Sequence, residues 1–336
     1  MARALMSALK SGGHDVTLAS ELRIYDPDGL PETQTELRGA ASREIDRIAN
    51  IGHLEKWQIW MTYHNYYKAP DLIGPTVART LNIPYILAEA TRAKKRLNGP
   101  WAGFAKDAEA ACDAAAAILY LTARDAEALH HDAPDGQSLI HLHPFLDRDT
   151  LPRASTGNGS MLSVAMMRHG DKLASYQLIA DTLCAMPHQD WALDIAGDGP
   201  AVDQVKTMMA PFGNNVKFLG AMDSDALAKL YGQASLLFWP GVNEAFGLTY
   251  LEAQAAGVPV VAQNRPGVCD VTHGTHPRPH EGTLPLVAAI TALLSNPDLR
   301  QTRAGQARKF VRENHLRGAA TQTLNTVLEN VTGPKI

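Results

Sequence analysis

Apolar residues in the first half of the chain form two patterns. Some lie in short continuous runs, and others recur with helical periodicity over longer stretches. Ala2, Leu5, Met6 and Leu9 follow the i, i+3, i+4, i+7 spacing and predict a helix over residues 1–10. Short apolar runs predict strands at residues 16–19, 59–63, 84–88, 116–121 and 140–143. Helical stretches are predicted at residues 73–81 and 101–117. This alternation is typical of an α/β domain with a parallel sheet.

The order of these elements is unusual at the start of the chain. In α/β domains a helix crosses over between two parallel strands, whereas here a helix precedes the first predicted strand. Two interpretations stay open: the domain lacks its first strand, or the start codon is misplaced.

The second half repeats the alternation after a linker-like segment. Residues 147–160 contain Pro152, Gly157 and Gly159, a composition typical of a domain boundary. Strands are then predicted at residues 161–167, 191–196, 216–219, 236–239 and 258–262, with helices at residues 173–186, from residue 223 or 224, and through Glu252. We predict a first domain over residues 1–147, a second over residues 148–315, and a final helix over residues 316–336 that packs back on the first domain.

Composition narrows the classes of function. The chain has 336 residues, which fits two domains, and its formal net charge of −4 argues against binding nucleic acid by bulk charge. Three widely spaced cysteines without a Cys-x-x-Cys pair fit a reducing compartment. No apolar run suits a bilayer span and no basic-then-apolar leader opens the chain. We therefore expect a cytoplasmic protein, with a peripheral contact at the inner membrane face left open.

One segment bears on that membrane contact. It is both basic and aromatic, containing Lys94, Lys95, Arg96, Trp101, Phe104 and Lys106. Such a segment suits anionic lipid or a phosphorylated acceptor. A solvated helix whose rings pack inward is the favoured interpretation.

The most informative stretch, residues 241–252, follows a predicted strand, where open α/β sheets bind ligands. After Phe246, the backbone amides of Gly247, Leu248 and Thr249 open a helix and predict an anion site. Glu244 and Glu252 lie on either side of these amides. A nucleotide sugar has a diphosphate between two hydroxyl-bearing groups, and carboxylates accept hydrogen bonds from hydroxyls. The alternative is that Glu244 only complements the helix dipole and Glu252 is solvated.

The stretch over residues 240–262 resembles the signature of retaining nucleotide-sugar glycosyltransferases of the GT-B fold, the group 1 family. The family's Glu-x7-Glu motif matches Glu244 and Glu252, and residues 257–262 match the strand that follows it. The resemblance implies that the first glutamate contacts the transferred sugar and the second binds the nucleotide ribose. It also implies an α/β protein of two Rossmann-like domains with parallel sheets that face each other across a cleft.

A second loop supports the resemblance. Arg168 and Lys172 follow a predicted strand and open a helix, as do the arginine and lysine that hold the donor diphosphate in the family. Around Gly267, where the family often has a glutamate, Asp270 takes that place. We expect no metal and no cofactor beyond the nucleotide sugar itself.

The first half matches the family more loosely. His64 follows a predicted strand where the family often carries histidine. Glu89 ends another predicted strand, where the family usually has a histidine that reaches the sugar. Both are candidate contacts to sugar or acceptor, with a paired structural carboxylate as the alternative for Glu89.

These residues predict a metal-independent retaining glycosyltransferase, with Glu244, Lys172 and Arg168 as catalytic candidates. Its partners would be a nucleotide sugar and an acceptor that is a saccharide or lipid-linked, not a nucleic acid. Two alternatives stay open: a non-catalytic protein that binds a nucleotide sugar or serves as a partner subunit, and a nucleotide-sugar epimerase or hydrolase.

Overall fold

The computed structural model describes residues 1–187 and 191–333. The chain separates into two compact units, one made of residues 1–143 with 320–336 and the other of residues 144–319. The sequence analysis placed the boundary slightly later, after residue 147. Residues 334–336 of the predicted final helix lie outside the described residues.

The first unit is built around a parallel sheet of four described strands in the order β1-β2-β3-β4. These strands are β1 (Trp60–Asn65), β2 (Tyr85–Ala90), β3 (Ala117–Tyr120) and β4 (Ser138–His141). The helices that precede or alternate with them are α1 (Ala2–Ser11), α2 (Pro31–Glu55), α3 (Gly74–Leu81), α4 (Ala102–Ala114) and α5 (Ala123–Asp132). All of β2 except Glu89 is buried, as expected for an inner strand of a parallel sheet.

The last helix of the chain, α13 (Arg317–Thr332), contributes its residues from Ala320 onward to the first unit. Thr321 Oγ1 donates to the carbonyl oxygen of Ala8 in α1 at 3.0 Å. His14 Nε2 and Asn325 Oδ1 lie 2.9 Å apart just beyond the end of α1. The first and last helices of the chain therefore pack together in one unit.

The strand predicted at residues 16–19 is wrong. Residues 12–30 carry no helix or strand, and those from His14 to Tyr25 contribute to the wall of a cavity of about 1350 Å³. Another wall of this cavity is β1, from Trp60 to His64. An extended segment forms a strand only when a neighbour satisfies its N–H and C=O groups. The segment is also not buried as predicted, since Leu18 is 57% exposed.

The second unit contains a parallel sheet of five described strands in the order β7-β6-β5-β8-β9. Its strands are β5 (Met161–Val164), β6 (Leu193–Ala196), β7 (Val216–Gly220), β8 (Leu237–Phe238) and β9 (Val260–Val261). Its helices are α6 (Asp171–Cys184), α7 (Val202–Met209), α8 (Ser224–Tyr231), α9 (Leu248–Ala255), α10 (Val268–Val271), α11 (Leu284–Ser295) and α12 (Pro297–Asn314).

The predicted α/β class with two parallel sheets is confirmed. The sequence analysis missed α5, α7 and α11. Helix α11 is apolar on almost every side, so its sequence shows no clear helical period. Among the described helices, none combines the length and the apolar character that a bilayer span requires.

The strand order of the second sheet reverses direction at β5. From β5 the chain adds β6 and β7 on one side and then returns to the other side with β8 and β9. Loops that follow neighbouring strands on either side of such a reversal leave a crevice at the carboxyl edge of the sheet. The loops after β5 and β8 are therefore where this unit is expected to bind a ligand.

One buried histidine makes the stability of the second unit depend on pH. His276 is 8% exposed, and burial lowers the pKa of its imidazole to about 4, with the charge of Arg303 acting in the same direction. The unfolded chain protonates this imidazole near its ordinary pKa, so it binds more protons than the folded chain between about pH 6.5 and pH 4. The contribution to stability is complete above that window and is lost as the pH falls through it.

We expect the free energy of unfolding to decrease by up to about 3 kcal/mol between pH 6.5 and pH 4 because of His276. Urea unfolding of His276→Gln should show a flatter pH dependence over this range. The exposed His280→Gln variant is the matched control and should keep the wild-type slope. Equal slopes for wild type and His276→Gln would contradict the assignment.

Candidate active site

The candidate active site lies where two loops of the second unit meet. Residues 165–170 connect β5 to α6, and residues 239–247 connect β8 to α9. The backbone N–H of Val242 donates to Ser175 Oγ at 3.0 Å, and Asn243 Nδ2 donates to Asp171 Oδ2 at 2.9 Å. Both acceptors belong to α6, so the second loop is fastened to the first two turns of that helix.

Glu244 is held by two donors. Lys172 Nζ forms an ion pair with Glu244 Oε1, and Trp239 Nε1 donates to the same oxygen at 2.9 Å. The Lys172 side chain is 20% exposed and that of Glu244 is 11% exposed. The two residues that the sequence analysis assigned to catalysis from separate motifs are thus direct partners.

Helix α9 begins beside this ion pair. Gly247, at φ 72°, precedes its first residue, and no described side chain caps it there. A Cβ at Gly247 would lie 3.0 Å from the ring of Tyr250, which favours glycine at this turn. The first amides of a helix have no intrahelical acceptor and carry the positive end of its dipole. The N–H groups of Leu248 and Thr249 are therefore oriented as an anion site would require, which keeps the sequence-based assignment a prediction.

Phe246 and Leu248 were assigned to donor binding from the sequence. In the structure both side chains are partly buried and pack against the hydrophobic core of the second unit. Their side chains therefore help to fix the loop, and their role in donor binding stays a prediction.

Glu252 lies on the second turn of α9 and is partly buried. Its Oε2 accepts a hydrogen bond from the hydroxyl of Tyr231 at 3.1 Å, and that hydroxyl is 2.8 Å from Thr249 Oγ1. Burial raises the pKa of the Glu252 carboxyl, opposed by the Tyr231 hydrogen bond and the charge of Arg148. The carboxylate is therefore oriented by one hydroxyl and is suited to accept from another.

Two further residues that the sequence analysis singled out, Arg168 and Asp270, lie outside the Lys172–Glu244 ion pair. Arg168 is exposed on the loop before α6, and its carbonyl oxygen accepts from the N–H of Leu173 at 3.1 Å. Asp270 Oδ2 accepts from the N–H of Gly267 at 3.2 Å at the start of α10. The described contacts of Asp270 include this helix cap, which is a structural role.

The first unit carries a separate pair of sequence-predicted residues. His64 and Glu89 are the penultimate residues of the neighbouring strands β1 and β2, and both have positive φ, of 74° and 60°. His64 Nδ1 is 3.6 Å from Glu89 Oε1, while the buried Glu89 Oε2 has no hydrogen-bond partner among the described atoms. Burial and then the charge of Glu89 raise the pKa of Tyr63. Backbone strain of this kind persists where the fold over-determines it, often at functional sites.

The basic aromatic segment packs as the favoured interpretation predicted. Phe104 is fully buried, and Trp101 Nε1 donates to the carbonyl oxygen of Asp26 at 3.0 Å. Lys94 pairs with Asp132 at 2.6 Å. Both rings and the Lys94 ammonium group therefore make contacts within the first unit.

With this geometry established, comparison with known proteins gives a family for the second unit. Residues 172–310 match the family model described as glycosyl transferases group 1. The match lies within the second unit and covers less than half of the chain. The matched range begins at Lys172 and includes both glutamates of the predicted motif.

Curated relatives align over parts of the chain. Glycogen synthase from Mycobacterium tuberculosis is 30% identical over 181 residues, 49% of this chain and 40% of that protein. D-inositol 3-phosphate glycosyltransferase from Salinispora arenicola is 40% identical over 100 residues, 29% of this chain and 22% of that protein. The chain thus aligns with less than half the length of these relatives.

Solved structures share the fold of the whole chain. A glycosyltransferase from Rickettsia africae has a TM-score of 0.72 at 16% identity, covering 99% of this chain and 95% of that chain. Sucrose-phosphate synthase from Thermosynechococcus elongatus has a TM-score of 0.71 at 15% identity, covering 98% and 92%. Anabaena HepE in complex with UDP has a TM-score of 0.69 at 15% identity, covering 86% and 82%. These similarities establish the GT-B fold.

Sequence reasoning missed two side chains that orient the glutamates of the group 1 domain. Trp239 looked like the end of an apolar strand, and Tyr231 like part of the apolar face of α8. Each is buried and uses a single polar atom on a glutamate of the motif. The sequence offered one signal, the identity of the residues: buried Tyr and Trp side chains usually hydrogen-bond through their hydroxyl or N–H group.

The loop that carries Glu244 depends on glycine at position 267. Gly267 has φ 85°, and a Cβ there would lie 1.9 Å from the carbonyl oxygen of Ala245 and 2.7 Å from that of Glu244. We expect Gly267→Ala to lower the free energy of unfolding by about 3 kcal/mol or more, because it adds a backbone clash to the strain. Gly213→Ala, at φ 53° and ψ −127° with nothing within 4 Å, adds backbone strain without a clash and should cost less, about 1–2 kcal/mol.

Urea unfolding of both glycine variants measures this difference directly. Equal losses would mean that the clash at position 267 relaxes freely and that the loop is not fixed by this contact.

Proposed function

We propose that the chain is a glycosyltransferase that moves a sugar from a nucleotide-diphosphate sugar to an acceptor hydroxyl, with retention of configuration and without a metal ion. The observation that carries this proposal is the Lys172–Glu244 ion pair beside the uncapped first turn of α9. It combines an anion site and a hydroxyl-binding carboxylate within one loop system. The group 1 domain match and the UDP-bound structural neighbour support the donor class.

In this proposal the donor diphosphate binds to Lys172, to Arg168 and to the amides of Leu248 and Thr249. Cleavage of the bond between the sugar's anomeric carbon and the diphosphate oxygen leaves extra negative charge on the diphosphate. Fixed positive groups aimed at that charge stabilise the transition state. In this proposal the amides and the ammonium group perform that role without a metal ion.

The two glutamates act on the hydroxyls of the donor. Glu244 accepts hydrogen bonds from the transferred sugar, and Glu252, oriented by Tyr231, accepts from the ribose. The acceptor oxygen forms a bond to the anomeric carbon on the face from which the diphosphate leaves. Its proton passes to the departing diphosphate oxygen, so charge and atoms balance and the configuration is retained.

The acceptor is proposed to bind through the first unit. Glu89 Oε2 is buried without a described partner, so a hydroxyl donor satisfies it. His64, whose side chain is 43% exposed, lies beside Glu89 and is accessible to a second hydroxyl. A saccharide or another polyhydroxyl group has this chemistry.

Substitution of the ion pair tests the donor site. With a panel of uridine, guanosine and adenosine diphosphate sugars, Lys172→Ala and Glu244→Ala should each reduce hydrolysis or transfer by about 100-fold or more, because each removes a group that contacts the donor. Lys229→Ala, an exposed lysine on α8, is the matched control and should keep wild-type turnover.

Unchanged turnover in both site variants would rule out this site. Nucleotide-sugar binding by the wild type without any turnover would favour the non-catalytic alternative, and a changed sugar without transfer would favour the epimerase.

The strain at Glu89 allows the acceptor role to be tested by stability as well as activity. We expect Glu89→Gly to raise the free energy of unfolding by up to about 1 kcal/mol, because glycine adopts positive φ without strain. The same variant should reduce transfer to acceptor while donor hydrolysis is retained.

Lys56→Gly is the matched control, because Lys56 lies in the same unit with φ 55°. It should gain stability similarly and keep transfer at the wild-type level. Full transfer activity in Glu89→Gly would show that Glu89 does not contact the acceptor.

A further inference from the structure

Glu244 Oε1 is shared by two donors that differ in their freedom to move. Lys172 reaches it through a flexible side chain that is 20% exposed. Trp239 reaches it through an indole N–H on a fully buried ring. Any anion that draws the ammonium group away from the carboxylate leaves the indole as the donor that remains.

We propose that Trp239 is a positioning residue that holds Glu244 in place when Lys172 turns from the carboxylate to the donor diphosphate. This inference rests on the proposed function, since it requires a diphosphate to compete for Lys172. A carboxylate that lost its only hydrogen-bond donor would reorient, and the sugar would lose a fixed acceptor.

The surroundings of Trp239 prevent the indole from following the lysine. Its backbone N–H donates to the carbonyl oxygen of Val261 at 3.1 Å, and its carbonyl oxygen accepts from the Tyr250 hydroxyl at 3.0 Å. The ring of Tyr176 packs edge-on against the indole, with centroids 5.1 Å apart. Backbone and ring are therefore fixed by β9, α9 and α6 at once.

The face of the same ring contacts the lysine. Lys172 Nζ lies 5.4 Å from the centroid of the Trp239 ring, within the range of a cation–π interaction. Movement of the ammonium group towards a diphosphate weakens this contact while the N–H bond to Glu244 stays. The two contacts of one indole therefore report separately on the lysine and on the glutamate.

Trp239→Phe tests the role because it removes the N–H group and keeps an aromatic ring in the core. With the donor that the wild type turns over, we expect kcat to fall about tenfold or more while the donor KM changes by less than about threefold, since Lys172 and the α9 amides still bind the diphosphate. A purely structural loss would instead weaken binding and turnover together. Trp191→Phe, which removes an indole packed on Phe212 elsewhere in this unit, should leave both constants unchanged.

A second measurement uses the wild-type chain and does not depend on how Trp239→Phe folds. Among the indole N–H resonances of the five tryptophans, the one displaced by Glu244→Ala identifies Trp239. When the nucleoside diphosphate of that donor is added to the wild type, this resonance should stay near its unliganded position. In the same titration the emission of Trp239 should change as Lys172 leaves the ring.

The outcomes separate this inference from the proposed function. A wild type that neither binds nor turns over any nucleotide sugar refutes the proposed function and this inference with it. An active wild type with Trp239→Phe within about twofold of its kcat refutes the positioning role alone. Movement of the indole resonance to its Glu244→Ala position on nucleotide binding also refutes it.

Discussion

The ion pair between Lys172 and Glu244 is the interaction on which the site depends. Its partners lie 72 positions apart in sequence, and it joins the start of α6 to the loop before α9. Both side chains are largely buried, and a buried charge without a partner is costly. In the structure the partner of Lys172 is the Glu244 carboxylate, and in the proposed function the donor diphosphate takes its place. This exchange of partners links the unliganded geometry to the proposed chemistry.

The fold places this pair by topology. The reversal of strand order at β5 brings the loops after β5 and β8 to one edge of the sheet. Glycines at positions 247 and 267 then let the second loop approach α9 and α10 closely, because both have positive φ and a Cβ at position 267 would clash with the carbonyl oxygen of Ala245. In the first unit the candidate residues His64 and Glu89 lie near the ends of two neighbouring strands, and both have strained backbones with positive φ.

Periodicity and motif spacing predicted the α/β class and most strands, and they singled out Lys172 and Glu244 as separate candidates, but not their direct pairing. They failed where structure depends on partners that a local pattern does not contain. Residues 16–19 have the apolar character of a strand but face a cavity and not a neighbouring strand. Trp239 and Tyr231 looked like core residues, because one polar atom on a buried aromatic ring leaves no trace in a hydrophobic pattern.

The most direct test of the central claim is a crystal structure of the chain with a bound nucleoside diphosphate. The account predicts phosphate oxygens within hydrogen-bond distance of Lys172 Nζ and of the Leu248 or Thr249 amide, with Glu244 still bound to Trp239 Nε1. Phosphates bound away from the start of α9, with Lys172 still paired to Glu244, would contradict it.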